Sequence, residues 1–238
     1  MSSFFRYLTI GIFFSIGLAL PYIPELLFIE EASIIAVILL SLPAFYAVTK
    51  KYKNGLLLVV LLGIFALMIE SIGVHTGFPY GDFSYTLPFG YKIFGTTPWT
   101  VFFAWTPLVF GSYFISSLFK EKIYRFAIYL LLLVGTDLVL DPGAVARGLW
   151  SYEVSGFWYG VPLSNFLGWI FSGTIAFLLL ERIKKEYVHT YSSLGSLSLL
   201  LSLALWSGVS FSYQLPIPFL IGILLATTIL FLEYKRKS

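Results

Sequence analysis

Eight apolar runs, most of them long enough to cross a lipid bilayer, constrain this chain more than any other feature. Crossing a hydrocarbon core of ~30 Å takes about 20 helical residues. Only 11% of the 238 residues are charged, whereas a soluble domain carries about a quarter charged residues. The sequence therefore predicts an all-α polytopic membrane protein with about eight transmembrane helices. The runs lie at about 4–22, 31–49, 55–75, 99–119, 123–140, 164–182, 194–213 and 216–233.

The first run has the length of a secretory signal peptide, but no convincing cleavage site of small residues follows it. Because further spans follow, we expect it to be the first membrane helix. The chain is then a single integral membrane domain, 1–238, with a catalytic core at 70–183. Flanking helices are expected within 1–54 and 190–238.

Basic residues alternate along the connections between the runs. They are in excess in the second, fourth and sixth connections and at the C-terminus, but not in the first, third, fifth and seventh. Since Lys and Arg concentrate on the cytoplasmic side of membrane proteins, we expect a multi-pass cell-membrane protein with both termini in the cytoplasm. Two aromatic-rich loops then lie on the opposite side.

These two loops, within 70–105 and 137–169, share a spacing pattern. From Glu70, a glycine lies eleven residues on and Tyr85 fifteen residues on; from Asp137, the same steps reach a glycine and Tyr152. We therefore hypothesise an internal repeat of helices three and four with helices five and six, related by an axis along the membrane normal. The aromatic content predicts that both loops are ordered.

Three carboxylic acids lie inside or at the end of apolar runs. Glu70 belongs to the third run, and Asp137 and Asp141 to the fifth, on one helical face. Ionisable groups within a bilayer usually face a protein interior or a cavity. Two nearby carboxyls there would not both ionise easily, which suits acid–base chemistry. Alternatively, Asp141 caps a helix or turn before Pro142, and Asp137 bonds a neighbouring hydroxyl.

Four other polar residues near the loops are candidates for the same pocket. His75 could tune an acid or shuttle a proton, or serve as a structural hydrogen bonder. Asp82 could position water. Arg147 could contact substrate, pair with a local carboxylate or face a lipid headgroup. Asn165 could hydrogen-bond within the pocket or cap helix six.

Aromatic side chains are unusually dense in the two loops. They could form the interfacial belt of a membrane protein. They could also line a pocket for a long apolar ligand and stabilise a cationic centre with their π faces. The candidate lining residues are Tyr80, Tyr85, Trp99, Trp105, Trp150, Tyr152, Trp158, Tyr159 and Trp169.

No metal or cofactor is predicted. The chain has no cysteine and two histidines, and it contains no paired-histidine metal motif. No Asp-rich cluster for a diphosphate substrate occurs, which argues against a prenyltransferase. The small net charge of +3 does not suggest nucleic-acid binding.

Four blocks in this order resemble the CruF-type carotenoid biosynthesis proteins. They are G-V-H-T-G-F-P-Y-G-D-F-S-Y at 73–85, G-T-T-P-W with a later A-W at 95–105, L-D-P-G-A-V-A-R-G-L-W-S-Y at 140–152, and W-Y-G-V-P-L-S-N-F-L-G-W at 158–169. That family includes bisanhydrobacterioruberin hydratases of archaea and carotenoid 1,2-hydratases of bacteria. The resemblance covers roughly 70–183. It implies a membrane enzyme that adds water across the terminal C=C of an acyclic carotenoid.

The chemistry of that reaction suggests a role for each acid. Glu70 or Asp137 would be the general acid, and the other, with Asp82 or Asp141, would position water. The resemblance therefore implies a cofactor-independent hydro-lyase, and we expect a long isoprenoid or carotenoid substrate and membrane lipid as its partners. One alternative is an acid-catalysed carotenoid cyclase or isomerase. Another is a lipid or small-molecule transporter with a carboxylate proton relay.

Overall fold

A computed structural model describes residues 3–22, 30–87, 89–185 and 193–237. Within these ranges the chain forms eight α-helices, so the predicted all-α polytopic membrane fold is confirmed. Six of the described helices are long and apolar enough to cross a membrane, and α4 and α7 are shorter. The helices are α1 (Ser3–Ala19), α2 (Glu30–Lys51), α3 (Gly55–Thr76), α4 (Val101–Ser116), α5 (Lys122–Arg147), α6 (Leu163–Ile183), α7 (Leu197–Ser212) and α8 (Pro216–Lys237).

Helix α5 lies at the centre of the bundle. It packs against α4, α6, α7 and α8, which places its aspartates in the protein interior. Helix α1 runs along α7, where Gly17 and Gly208 face the opposite backbone so closely that a Cβ on either would overlap it. Small residues at such crossings are typical of membrane helices. The predicted domain limit at 190 lies outside the described residues.

Helix α5 extends past its predicted end, through Pro142 to Arg147. Proline has no backbone N–H, so the carbonyl of Leu138, four residues earlier, lacks its helical partner. The indole N–H of Trp158 donates to that carbonyl at 3.0 Å. This side chain therefore satisfies the carbonyl that the proline leaves open, and the helix continues for another turn.

The two aromatic-rich loops are ordered and joined by short strands. Strand β1 (Phe83–Tyr85) pairs antiparallel with β4 (Trp150–Tyr152), with Phe83 opposite Tyr152 and Tyr85 opposite Trp150. Strands β2 (Lys92–Ile93) and β3 (Thr97–Pro98) form a small hairpin between them in sequence. Because side chains alternate along a strand, the aromatic residues of β1 and β4 face inward while their central serines are exposed. The paired loops define one end of the bundle, called the loop end below.

Helices α3 and α5 end in the same way at the loop end. Each is capped by a glycine with a left-handed backbone, Gly77 and Gly148, both with φ of 74°. Glu70 lies seven residues before the first cap, and Asp141 lies seven residues before the second. Tyr85 and Tyr152 are each the last residue of their strand, as the spacing pattern predicts. Counted from the glycine caps, however, the residue equivalent to Glu70 is Asp141 rather than Asp137. The first loop is longer between its helix cap and its strand: Phe83 lies six residues after Gly77, whereas Trp150 lies two residues after Gly148.

One buried and one half-buried ion pair connect the helices at the opposite end of the bundle. Arg6 of α1 pairs with Glu233 of α8 at 2.5 Å. Arg125 of α5 pairs with Glu181 of α6 at 2.5 Å, and Tyr113 of α4 also donates to Glu181. Buried charges are stable only when paired and hydrogen-bonded. These contacts fix the helices far from the loops.

Candidate active site

A cavity of about 370 Å³ lies at the loop end of the bundle. Its walls come from α1 to α7 and from the paired strands β1 and β4. Most of the lining is apolar or aromatic. Ionisable or amide side chains reach the cavity at Glu70, Asp141, Arg147 and Asn165. A largely apolar pocket with a few convergent polar groups is the usual form of a small-molecule site.

Two of the cavity's carboxyl groups are each held by a tyrosine from one of the paired strands. The Tyr85 hydroxyl donates to Glu70 Oε1. The Tyr152 hydroxyl donates to Asp141 Oδ2 at 2.7 Å. Burial raises the pKa of each tyrosine hydroxyl well above its ordinary value, and the neighbouring carboxyl groups raise it further. Both phenols therefore stay protonated and act as hydrogen-bond donors.

Asn165 joins the two aspartates of α5. Its Nδ2 donates to Asp137 Oδ2 at 2.9 Å and to Asp141 Oδ2 at 2.6 Å. Asp141 lines the cavity, whereas Asp137 is fully buried and lies outside the lining. Asp137 Oδ1 has no hydrogen-bond partner among the described residues. Asp141 is not a helix cap, because α5 continues beyond it.

Tyr80 fixes the first loop against two helices. Its ring lies between Gly73 of α3 and Gly168 of α6; a Cβ on Gly73 would lie 2.8 Å from Cδ2 of the ring, and one on Gly168 would overlap it. The Ser164 hydroxyl donates to the Tyr80 carbonyl at 3.1 Å. Glycine is required at both positions because the ring occupies the space of a side chain. Tyr80 is thereby positioned in the cavity wall.

The structure brings most of the predicted lining residues together. The rings of Trp105 and Trp169 lie 6.4 Å apart, and those of Tyr85 and Trp150 lie 6.0 Å apart. Arg147 donates from Nη1 to the Tyr213 hydroxyl at 2.9 Å. The predicted residues that line the cavity are Tyr80, Tyr85, Trp105, Arg147, Trp150, Tyr152, Asn165 and Trp169, with Glu70 and Asp141.

Three predicted lining aromatics lie outside the cavity walls. Trp99 packs edge-on against Phe103 at 5.5 Å. Trp158 bonds the carbonyl of Leu138, and Tyr159 packs edge-on against Trp158 at 5.4 Å. The proline inside the fifth apolar run was the available signal for Trp158, since a mid-helix proline leaves a carbonyl that needs a donor.

His75 and Asp82 are also outside the cavity. Both side chains are exposed. His75 Nδ1 lies 2.8 Å from the carbonyl oxygen of Ser71 and 3.4 Å from the hydroxyl of Thr96. Among the described residues, no group of three or more His, Cys, Asp or Glu side chains is arranged to hold a metal ion.

Sequence reasoning missed the contribution of α1, α2 and α7 to the cavity. These helices lie outside the predicted core at 70–183 and carry no motif. Their packing alone brings them to the site. The lining residues from these helices and the turn after α1 are Ile16, Leu20, Ser33, Ala36, Val37, Leu40, Ser202, Leu205, Trp206 and Val209.

The fold and the cavity together define a multi-pass membrane protein whose buried carboxyl groups face an apolar, aromatic pocket. Residues 29–229 match the family described as carotenoid biosynthesis protein. The chain belongs to that family, and the predicted resemblance is confirmed.

A relative is the bisanhydrobacterioruberin hydratase of Haloarcula japonica, which is 35% identical over 195 residues. The aligned region covers 76% of this chain but only 64% of that relative. The chain therefore matches less than two thirds of the relative's length. No solved structure matches this chain.

Proposed function

We propose that this protein hydrates the terminal C=C of an acyclic carotenoid within the membrane. The observation that carries the proposal is that Glu70 and Asp141, each bonded to a tyrosine, line one apolar aromatic cavity. The family and the hydratase relative support the same class of reaction. In this proposal the two carboxyl groups serve as acid and base beside the bound hydrocarbon end.

The reaction divides into a protonation and a hydration step. A carboxylic acid donates a proton to the less substituted carbon of the terminal double bond, and a tertiary cation forms at the other carbon. Aromatic faces stabilise that cation. Water then adds to the cation and gives its surplus proton to a carboxylate. Transfer of that proton back to the first acid restores both groups, so the net change is the addition of one water molecule.

Hydrogen bonding distinguishes the two carboxyl groups on the cavity wall. Asp141 accepts hydrogen bonds from Tyr152 and Asn165, and such bonds favour a carboxylate. Among the described residues, Glu70 accepts a hydrogen bond from Tyr85 alone. We assign Glu70 as the acid that protonates the alkene and Asp141 as the base that orients water.

Asp137 acts through its neighbours in this scheme. It does not line the cavity, but it shares Asn165 with Asp141. We therefore propose Asp137 as a positioning residue that holds the amide of Asn165 toward the base. Asp82 and His75 have no role in the proposed steps.

Mass spectrometry of carotenoids tests the proposal, using cells that co-express the protein with enzymes for acyclic carotenoids. The wild type should add the mass of one water at each reacting end. Glu70→Gln and Asp141→Asn should lose that product while folded protein stays in the membrane. Asp137→Asn should reduce it, and Asp82→Asn should leave it unchanged.

Other outcomes separate the alternatives. Full turnover by Glu70→Gln and Asp141→Asn would refute the assigned roles. A new pigment of unchanged mass would favour a cyclase or isomerase, and an unchanged pigment profile with wild-type protein would favour a transporter. Loss of product in Asp82→Asn would return the water-positioning role to that exposed acid.

A further inference from the structure

We infer that the substrate reaches the cavity sideways from the hydrocarbon phase, between α1 and α2, and that only its end group lies inside. This inference rests on the proposed function. It identifies the opening through which the long apolar chain enters and the surface on which the rest of that chain lies.

Cavity size sets the first constraint. A volume of about 370 Å³ falls at the lower end of the range for a drug-sized ligand. A carotenoid is a much longer chain, so most of it must remain outside while its terminal double bond reaches Glu70 and Asp141. The cavity therefore needs an opening that accepts hydrocarbon.

Hydrogen bonds between the two loops form a roof over the cavity at the loop end. The backbone N–H of Thr86 donates to the Leu149 carbonyl at 3.1 Å, and the Thr86 hydroxyl donates to the Gly148 carbonyl. The pairing of β1 with β4 continues this roof. An apolar chain has no favourable route through these hydrogen-bonded strands from the aqueous side.

The wall formed by α1 and α2 has a different character. Its lining residues are mainly aliphatic, whereas the carboxyl, guanidinium and amide groups of the lining come from α3, α5 and α6. Ile16 lines the cavity although it is 43% exposed, and Ala36 on the facing helix is also both lining and exposed. Ala104 of α4, which packs on α2, shares both properties and extends this margin of the cavity. Side chains that share both properties mark the place where the cavity meets the lipid-facing surface.

In the part of the chain that the structure describes, helix packing leaves this part of the wall open. Helix α1 packs along α7, and α2 packs on α3, α4 and α7. Within the described residues, α1 and α2 hardly touch one another. On α2, exposed aliphatic side chains continue outward from the opening at Leu39 and Leu42. A polyene chain leaving the cavity would lie against these residues and replace lipid there.

Paired tryptophan substitutions test the opening. Ala36→Trp places a large ring at the opening, and Ile35→Trp places the same ring on the adjacent, 56% exposed residue outside the lining. Ile16→Trp and Ile12→Trp form a second matched pair on α1. The variants at the opening should hydrate a full-length acyclic carotenoid at least about tenfold more slowly, because the chain must displace the ring to enter, and tenfold corresponds to about 1.4 kcal/mol. The matched controls should retain wild-type rates.

A reversible bridge removes any doubt about misfolding. The chain has no cysteine, so an Ile16→Cys, Ala36→Cys double variant can be bridged with a bifunctional thiol reagent that forms cleavable disulfides. Bridging should stop hydration of the full-length carotenoid, and reduction should restore it in the same sample. Each single-cysteine variant, treated with the same reagent, should stay active.

The outcomes separate the opening from the chemistry. Wild-type protein that adds no water to any acyclic carotenoid overturns the proposed function. Wild-type protein that adds water, together with bridged or Ala36→Trp protein that is equally fast, overturns the lateral opening alone. Slow hydration by Ile35→Trp and Ile12→Trp to the same degree as their partners would also overturn it.

Discussion

Replacing Asn165 by leucine tests how the acids of α5 are held in place. Its Nδ2 donates one hydrogen bond to each aspartate, at 2.9 Å and 2.6 Å, and all three side chains are buried. Leucine has a similar size but no donor. Asp137 Oδ2 loses its donor, which costs about 1–3 kcal/mol, whereas Asp141 Oδ2 keeps the Tyr152 hydroxyl and loses about 0.5–1.5 kcal/mol, a total of about 1.5–4.5 kcal/mol. For a chain of this size each kcal/mol lowers Tm by about 2–4 °C, which gives a fall of about 3–18 °C.

Thermal unfolding of purified protein in detergent measures this effect. Ser164→Ala is the matched control, since it removes one hydrogen bond from the preceding residue to a backbone carbonyl and should cost about 1 kcal/mol. A residue exchange gives a stricter test. Asn165→Asp alone gathers three carboxyls and should be strongly destabilised, whereas Asn165→Asp combined with Asp137→Asn again places one amide among two acids. The combined variant should therefore be more stable than Asn165→Asp alone.

Two results would refute this reasoning. One is an Asn165→Leu protein that unfolds at the wild-type temperature. The other is an exchange variant no more stable than Asn165→Asp. Either result would mean that packing, rather than the shared amide, positions Asp137 and Asp141.

Three further predictions concern the tyrosines and the glycine contact. Tyr85→Phe removes the donor to Glu70 and should slow hydration by about tenfold, because this hydrogen bond stabilises the carboxylate that forms as Glu70 gives up its proton; wild-type rates would contradict it. Gly168→Ala would drive a methyl group into the Tyr80 ring and should cost about 1–3 kcal/mol in a thermal melt. The raised pKa of Tyr85 and Tyr152 means that the unfolded chain releases these protons first, near pH 10. Stability should therefore be maintained below about pH 10 and fall above it, and a Tm that stays level at higher pH would be inconsistent with this.

The position of the helices follows from hydropathy because a bilayer allows few alternatives. Every backbone polar group in the hydrocarbon must be bonded within the chain, so long apolar runs form helices. The exception was the end of α5, predicted at about 140 and found at Arg147. A proline in a sequence normally ends a helix, and only the fold brings Trp158 to the carbonyl that Pro142 leaves open.

The candidate site was partly visible in the sequence. Glu70 and Asp141 stand out because acids are rare in apolar runs, and the repeat spacing placed Tyr85 and Tyr152 at equivalent strand positions. Spacing alone aligned Glu70 with Asp137. It could not show that the first loop has four more residues than the second between its helix cap and its strand. Because of this difference, the residue equivalent to Glu70 is Asp141.

By itself, the sequence determined the membrane class, the eight helices of the described chain, and the acids and aromatics that belong near the site. Those properties depend on residue type and local spacing. Tertiary structure alone decided which of them meet: Asn165 bridges two aspartates of α5, and α1, α2 and α7 complete the cavity. Contacts between helices distant in the chain depend on how their surfaces fit together, and no local pattern encodes that fit.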